Sequence, residues 1–498
     1  MADAKRPRVG EPPAEAGACR LLVGFRHRLL GFRRAEVECL ARRAGHPFGG
    51  GPEGLRWERV AEVGGKGAET LAPFWYVRCP SAAAARRVCR ELQARAILVK
   101  SVLEFWGAGA TAADLQASVA ATVPAATRAH FAGAGFTYKI VVDGFGESIK
   151  FQRQMEHIRD LQFLGFQGKV DLKRPDHAFV LHVVRARQGD IPVPERMDDC
   201  LYFGRRLALP DRAGVHQYDN AVRPYIGPTS MDNEIAFLMN NYGLVGPGSV
   251  VYDPFVGTGS ILVPAAHMGA LTLGADIDLR VVQWGKTDKR GNPVDIWSNF
   301  TRYGLPAPLG VLRCDSSQPP FRDDLAEWLD AVVCDPPYGV RAGGRKGGGK
   351  RDGMVVPAHH KDQHIPSTRP YQLSETLVDL LNSAVKLLRP GGRLVYFTPS
   401  FHGFTNDEDH IPRHPCLELL YILEQPLQMR YSRKLVVMEK VRAHDPAACA
   451  AFKAAALAPG SKLLELDRVH ELVYDASKQD DRHLGILKEH FKSRGKMV

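Results

Sequence analysis

The sequence predicts an α/β protein whose larger, C-terminal part is an open, mixed but mostly parallel sheet with helices on both faces. Three observations predict it. From about residue 218 to 441, apolar strand-like runs alternate with helical periodicities, the pattern of parallel strands covered on both sides. Four of those runs end in a carboxylate, at Asp253, Asp276, Asp315 and Asp335, and open α/β sheets bind ligands at the carboxyl ends of their strands. The first run breaks at once into a glycine turn, Gly257-Thr258-Gly259, that opens a helix.

The elements can be justified in order. Residues 1–18 are polar and contain Pro and Ala, a composition expected to be disordered. Residues 19–107 form a first small α/β domain. A strand at 21–25 is followed by a helix with Val37, Leu40, Ala41 and Ala44 on one face and Gly45 as its stop. Residues 46–67 are Gly-rich and read as a loop. A strand at 74–77, a helix capped by Ser81 and a strand at 97–105 complete the unit. Residues 108–208 form a second small domain, with strands at 138–142, 169–172, 178–184 and 201–203. Its helix carries Met155, Ile158 and Leu161 on one face. Lys169, Lys173, Arg174, Arg185, Arg187, Arg205 and Arg206 recur here. Each alone is explained by a solvated surface; together they suggest a surface that faces RNA. The third domain covers 218–442. Thr229-x-x-Asp232 resembles a capping box before a helix with Met231, Ile235, Leu238, Met239 and Tyr242 on one face. Residues 443–498 form a polar tail of helical pattern, its main apolar residues Leu463, Leu464, Leu466 and Val469.

Composition bounds the function. The chain has 498 residues, with 66 Lys and Arg against 55 Asp and Glu, a formal net charge of +11. A basic balance favours phosphate backbones without naming the polymer. Nine cysteines stand singly with no C-x-x-C pair, which argues against a structural zinc site and for a reducing compartment. His359, His360 and His364 are loop residues without a second ligand set, so solvated histidines are expected and no metal. No signal-peptide run is present, and no stretch reaches the roughly 18 apolar residues of a membrane span. A soluble cytoplasmic protein is expected. The basic cluster Lys5, Arg6 and Arg8 leaves a nuclear pool open.

The chemistry is concentrated at the strand ends. Val250-Val251-Tyr252-Asp253-Pro254-Phe255-Val256-Gly257-Thr258-Gly259-Ser260 is a strand, a tight glycine turn and a helix start. Such a turn lets the backbone pass close to a ligand. Asp276 ends the next strand seventeen positions after Gly259, where an acid suits the two hydroxyls of a ribose. The chain has no G-x-x-x-x-G-K-[ST], and this turn is not G-x-G-x-x-G either. A cofactor with a ribose but no phosphate fits, and S-adenosylmethionine is one. Asp315 ends another short strand; it can accept from an adenine amino group or simply cap the following turn. Asp335-Pro336-Pro337-Tyr338 closes a buried strand. An exocyclic base amine is a poor nucleophile, because its lone pair is delocalised into the ring. The Asp335 carboxylate and the Pro336 carbonyl can hold its hydrogens, while Pro337 stiffens the corner and Tyr338 can stack on a flipped base.

These residues resemble a known family. The third domain is similar to the Rossmann-like class I methyltransferases that methylate amino groups. With the preceding half the chain resembles the THUMP-domain tRNA methyltransferases, in particular the catalytic subunits that form N2-methylguanosine at position ten of tRNA. The resemblance rests on Gly227-Pro228-Thr229-Ser230-Met231, Asp253-Pro254-Phe255-Val256-Gly257-Thr258-Gly259, Gly274-Ala275-Asp276-Ile277-Asp278, Asp335-Pro336-Pro337-Tyr338-Gly339 and His414-Pro415-Cys416-Leu417-Glu418-Leu419. Phe105-Trp106-Gly107 and Tyr202-Phe203-Gly204-Arg205 add to it. It implies a ferredoxin-like domain and a THUMP-type RNA-binding domain before the Rossmann-like one. It implies that Thr229 and Ser230 lie beside the methionine part of S-adenosylmethionine and that Asp253, Phe255 and Gly257 line it. Asp276 would hold the ribose, Asp315 the adenine, and Asp335 to Tyr338 guanine N2. tRNA and a small zinc-binding activator subunit are the implied partners. The sequence departs from the family in a glycine-rich basic insert at 343–353 and a lengthened loop at 46–67. The Asp-Pro-Pro-Tyr corner does not choose the base, so another tRNA guanine or adenine N6 stays open. A non-catalytic RNA-binding scaffold is disfavoured, because decay would erase Asp276 or Asp335 first.

Overall fold

Apolar runs rich in β-branched and aromatic residues become strands in both halves of the chain. The computed structural model describes residues 18–49, 51, 54–60, 72–144, 148–184, 199–339, 343–348, 365–401, 407–428 and 431–468. The expected disordered tail with Lys5, Arg6 and Arg8 lies outside them apart from residue 18. So do Arg185, Arg187, His359, His360, His364, Val469, the second half of the 343–353 insert and parts of the 46–67 loop. The chain divides into two units, Met1–Asp211 and Arg212–Val498.

In the first unit eight strands make one sheet. They are β1 (Cys19–Phe25), β2 (Arg56–Glu58), β3 (Phe74–Cys79), β4 (Val99–Gly109), β5 (Thr137–Gly144), β6 (Lys169–Val170), β7 (His177–Val184) and β8 (Cys200–Ala208). Their order is β2-β3-β1-β4-β8-β7-β5-β6. Helices Arg33–Arg43 and Ala82–Arg95 bury Leu40, Val88 and Leu92 with Trp75 and Val102 of the sheet. Ser81 caps the second helix, its Oγ accepting from Ala84 N–H at 3.2 Å. A separate core gathers Trp106, Phe131, Phe179 and Phe203. β4 contributes to both cores and pairs with β1 on one side and β8 on the other. Residues 107 and 108 therefore lie within one continuous strand. β2 falls inside the stretch expected to be loop, because three residues of strand among glycines leave no visible periodicity. Lys169, Lys173 and Arg174 are exposed. Arg205 is not: it is buried, bonds Glu104 at 2.9 Å and lies over the Phe131 ring at 4.8 Å. It holds the sheet together and does not face solvent.

The second unit is built on β9 (Val250–Asp253), β10 (Leu271–Asp276), β13 (Gly310–Arg313), β14 (Leu329–Cys334), β17 (Leu388–Phe401), β18 (Leu417–Gln428) and β19 (Tyr431–Lys440). Small hairpins are formed by β11 (Lys286–Thr287) with β12 (Pro293–Val294), and by β15 (Arg345–Gly347) with β16 (Thr368–Pro370). The seven-stranded order is β13-β10-β9-β14-β17-β19-β18. The first five strands run parallel, and β19 runs antiparallel to both its neighbours. The order reverses between β9 and β14, which opens a crevice at their carboxyl ends.

Helix Leu373–Leu387 buries Leu377, Val378, Leu381, Ala384 and Val385 against this sheet, a 3–4 residue spacing that puts them on one face. Helix Asn233–Tyr242 is buried at every position. Its cap is Asp232, whose side chain accepts from Ile235 N–H at 3.2 Å. The capping box expected at Thr229 is thus corrected: Asp232 is itself the cap, and Thr229 is left outside the helix. The described part of the tail is not a polar appendage. Cys449, Phe452, Leu463 and Leu466 belong to the same core as β14 and β17. Lys440 is buried with all three ammonium hydrogens matched, to Glu327 at 2.8 Å and to the carbonyls of Val385 and Leu388 at 2.5 and 2.7 Å. Among the described residues, no helix is long and apolar enough to cross a membrane.

Candidate active site

The carboxyl ends of β9, β10 and β14 open into a cleft of about 790 Å³. Thr229, Ser230, Asp253, Phe255, Gly257, Asp276, Asp335, Pro336, Pro337 and Tyr338 all line it. Gly259 and Asp315 do not line it. Gly257 and Gly259 have φ of +48° and +79°, a region open to glycine at little cost. They turn the chain from β9 into helix Leu262–His267. The segment before helix Asn233–Tyr242 is tied to that turn by hydroxyls. Ser230 Oγ accepts from Gly227 N–H at 2.8 Å and lies 2.8 Å from Thr258 Oγ1. Ser260 Oγ accepts from the buried Arg223 guanidinium at 2.8 Å. Two stretches about thirty residues apart in sequence thereby form one rim.

The acids differ in their surroundings. Asp253 is fully buried, and burial pushes its carboxyl well above the usual range, with the charges of Asp276 and Asp335 adding to the rise. Its Oδ1 accepts from Phe255 N–H at 3.0 Å, which moderates the shift. Asp276 is likewise raised by burial, against the hydrogen bonds it receives. Oδ2 accepts from Gly257 N–H at 3.1 Å and Oδ1 from Asp278 N–H at 3.0 Å. Each oxygen keeps a second lone pair for a hydroxyl. Asp315 Oδ1 accepts from Ser317 N–H and Oγ–H, and Oδ2 from Gly347 N–H at 2.5 Å. The first strand of the glycine-rich insert therefore sits on that carboxylate.

At the end of β14, Asp335 Oδ2 accepts from Arg433 at 3.1 Å. Among the described residues Oδ1 has no hydrogen-bond partner, and it is shielded from solvent. Burial raises this carboxyl to about 6, and the Arg433 cation holds it from rising further. An unpaired buried acceptor costs roughly 1–3 kcal/mol. Asp335 lines the cleft, though its exposed surface comes from the rest of the side chain and not from Oδ1. Pro336 and Pro337 offer no donor that would compete.

Sequence reasoning missed Arg433, Met231, Arg345 and Tyr371 on the cleft wall. Arg433 arrives from β19, 98 residues after Asp335. A signal was available: Arg433 and Lys434 directly precede the apolar run Leu435–Met438 within one buried strand.

Comparison with known proteins agrees with this architecture. Residues 65–212 match the Tmrp11 THUMP N-terminal domain, and residues 220–291 match the RMKL-like methyltransferase domain. The tRNA (guanine(10)-N(2))-methyltransferase TRMT11 of Pongo abelii is 36% identical over 434 residues, covering 85% of this chain and 88% of that protein. The protein of the same name from Homo sapiens is 37% identical over 383 residues, 74% of this chain and 80% of its own length. Among solved structures, TrmN from Thermus thermophilus is 19% identical and aligns with a TM-score of 0.37, over 85% of this chain and 100% of that one. With its N-terminal THUMP match, its seven-stranded domain and these relatives, the chain belongs to the tRNA (guanine(10)-N(2))-methyltransferase family.

Proposed function

We propose that this protein transfers a methyl group from S-adenosylmethionine to the exocyclic N2 of the guanosine at position ten of tRNA. The observation that carries the reading is the Asp335 carboxylate, held by Arg433 on the cleft wall and followed there by Pro336, Pro337 and Tyr338. The lining also suits the cofactor. Asp276 has acceptor capacity for ribose hydroxyls, and the Asp335 carboxylate favours a cationic centre nearby. The glycine turn carries no lysine for a phosphate. Bound S-adenosylmethionine supplies an electrophilic methyl group on a positively charged sulfur.

The chain's own residues then prepare the nucleophile. The Asp335 carboxylate accepts one hydrogen of the base amine and the Pro336 carbonyl the other, so the nitrogen lone pair turns out of the ring. Tyr338 stacks on the extruded base and excludes water. After transfer, Asp335 is the group placed to hold the proton that the nitrogen gives up. We also propose that the chain is the catalytic subunit of a complex with a small zinc-binding activator, in the cytoplasm with a nuclear pool. Asp315 is proposed to meet the adenine, sharing its Oδ2 with Gly347 N–H or exchanging it.

Mass spectrometry of tRNA nucleosides from cells with and without the protein tests the function. N2-methylguanosine at position ten should disappear in its absence and return with the wild-type chain. An unchanged level there, with a loss at another base, would replace the assignment. Asp276→Ala is expected to weaken S-adenosylmethionine roughly ten- to hundredfold, since charge-assisted hydrogen bonds are worth about 1.5–3 kcal/mol. Calorimetry showing unchanged affinity would remove Asp276 from the cofactor site.

A further inference from the structure

We propose that Arg433 is a positioning residue for methyl transfer: through Oδ2 it fixes the rotation and the charge of the Asp335 carboxylate that meets the base. The proposal rests on the reading of Asp335 given above. Arg433 stands near the start of β19, opposite Pro399 of β17 and Gln425 of β18. Its guanidinium is buried and held from several sides. Nε donates to Gln425 Oε1 at 2.8 Å, and the plane lies 3.8 Å over the Phe397 ring. The Nη2 nitrogen faces Met231 Sδ at 3.3 Å. Nη1 donates to Asp335 Oδ2 at 3.1 Å and to Tyr338 Oη at 3.3 Å.

A rigid planar fork fixed in this way sets the rotation of the Asp335 carboxylate. It sets the Tyr338 ring through the same nitrogen, so acceptor and stacking surface keep a constant relation. Charge adds a second effect. Asp253 from β9 and the neighbouring Cys334 lie within reach of the Asp335 charge, while Asp232, Met231, Tyr338, Arg345 and Tyr371 line the same cleft. Asp253 is an acid that shares this low-dielectric wall. The Arg345 guanidinium is engaged with Thr368. Arg433 is the cation in direct contact with Asp335, so it keeps that carboxylate ionised and accepting at neutral pH.

Arg433→Gln and Arg433→Lys in the full chain, with any partner it requires, test this by single-turnover methylation of tRNA across pH. In the wild type the rate should fall below about pH 6, as Asp335 gains a proton. Loss of a neighbouring cation raises a carboxyl by about 1–3 pKa units. The glutamine variant should therefore slow about thirtyfold at pH 7 and recover part of the loss near pH 9, its acid limb displaced upward. Its S-adenosylmethionine affinity, measured by calorimetry, should stay within about threefold, which also reports that it folds. Lysine keeps the charge without the fork, so its limb should stay near that of the wild type while its rate remains reduced. A glutamine variant slowed equally at every pH, with the limb unmoved, overturns the role of Arg433 and leaves that of Asp335 standing. A wild type without an acid limb, together with an active Asp335→Ala protein, overturns the reading of Asp335 itself.

Discussion

Asp335→Ala is expected to slow methyl transfer by at least about a hundredfold, while S-adenosylmethionine and tRNA bind within a few-fold of normal. The carboxylate is proposed to orient the amine where charge develops, and loss of one well-placed group of this kind costs about 3 kcal/mol or more in the barrier. It anchors neither ligand by itself, so binding should survive. The substitution also strips Arg433 of its carboxylate partner. Asp335→Asn, which keeps the volume and one neutral acceptor, separates the two effects and should fall between wild type and alanine. Single-turnover rates decide the matter. An alanine variant that methylates at a near-normal rate would end the role proposed for Asp335.

Residues 212–498 alone, with any partner they need, are expected to leave tRNA methylated at less than about a hundredth of the efficiency of the full chain. Extruding a stacked guanine costs a few kcal/mol, and the Asp335 to Tyr338 corner is too small to select one guanine among many. The N-terminal unit carries the match to a THUMP domain and the exposed Lys169, Lys173 and Arg174. Contacts of that kind position a nucleic acid without reading its sequence, and they weaken steeply as salt is added. The comparison is the yield of modified guanine from fragment and full chain, at two ionic strengths. A fragment that modifies the same guanine equally well would show that selection lies elsewhere.

Strand-end carboxylates were legible because their position follows from local pattern. An apolar run closed by Asp253, Asp276 or Asp335 announces both the strand and the edge on which the acid stands. The corner Pro336-Pro337 was legible for the same reason, since proline constrains its own neighbourhood. Arg433 was not, because its meaning depends on β19 lying beside β17, and that pairing is written in no short stretch of sequence. Asp232 was misread by one motif length, since Thr229 and Asp232 each satisfy the local rule for a cap and only the backbone decides between them. Arg205 looked like surface because charge normally means solvent. Its partner Glu104 lies 101 positions earlier and becomes visible only when β4 and β8 pair. The polar composition of the tail hid the few residues, Phe452, Leu463 and Leu466, that bury themselves.

That burial has a consequence for the order in which the protein can be made. β18 emerges from synthesis before β19, yet it touches the sheet only through β19. Until the later strand arrives, β18 has neither of its hydrogen-bonded edges covered, and unpaired edges invite pairing with other chains. Even then the apolar floor beneath helix Leu373–Leu387 stays open until Phe452, Leu463 and Leu466 follow. Domains fold as units during synthesis, and here the described core is not complete before Leu466, more than a hundred residues after Asp335 has been added. A ribosome that stalls in that interval holds a chain with every proposed cofactor-binding and base-holding residue already in place, but with no fold to hold them.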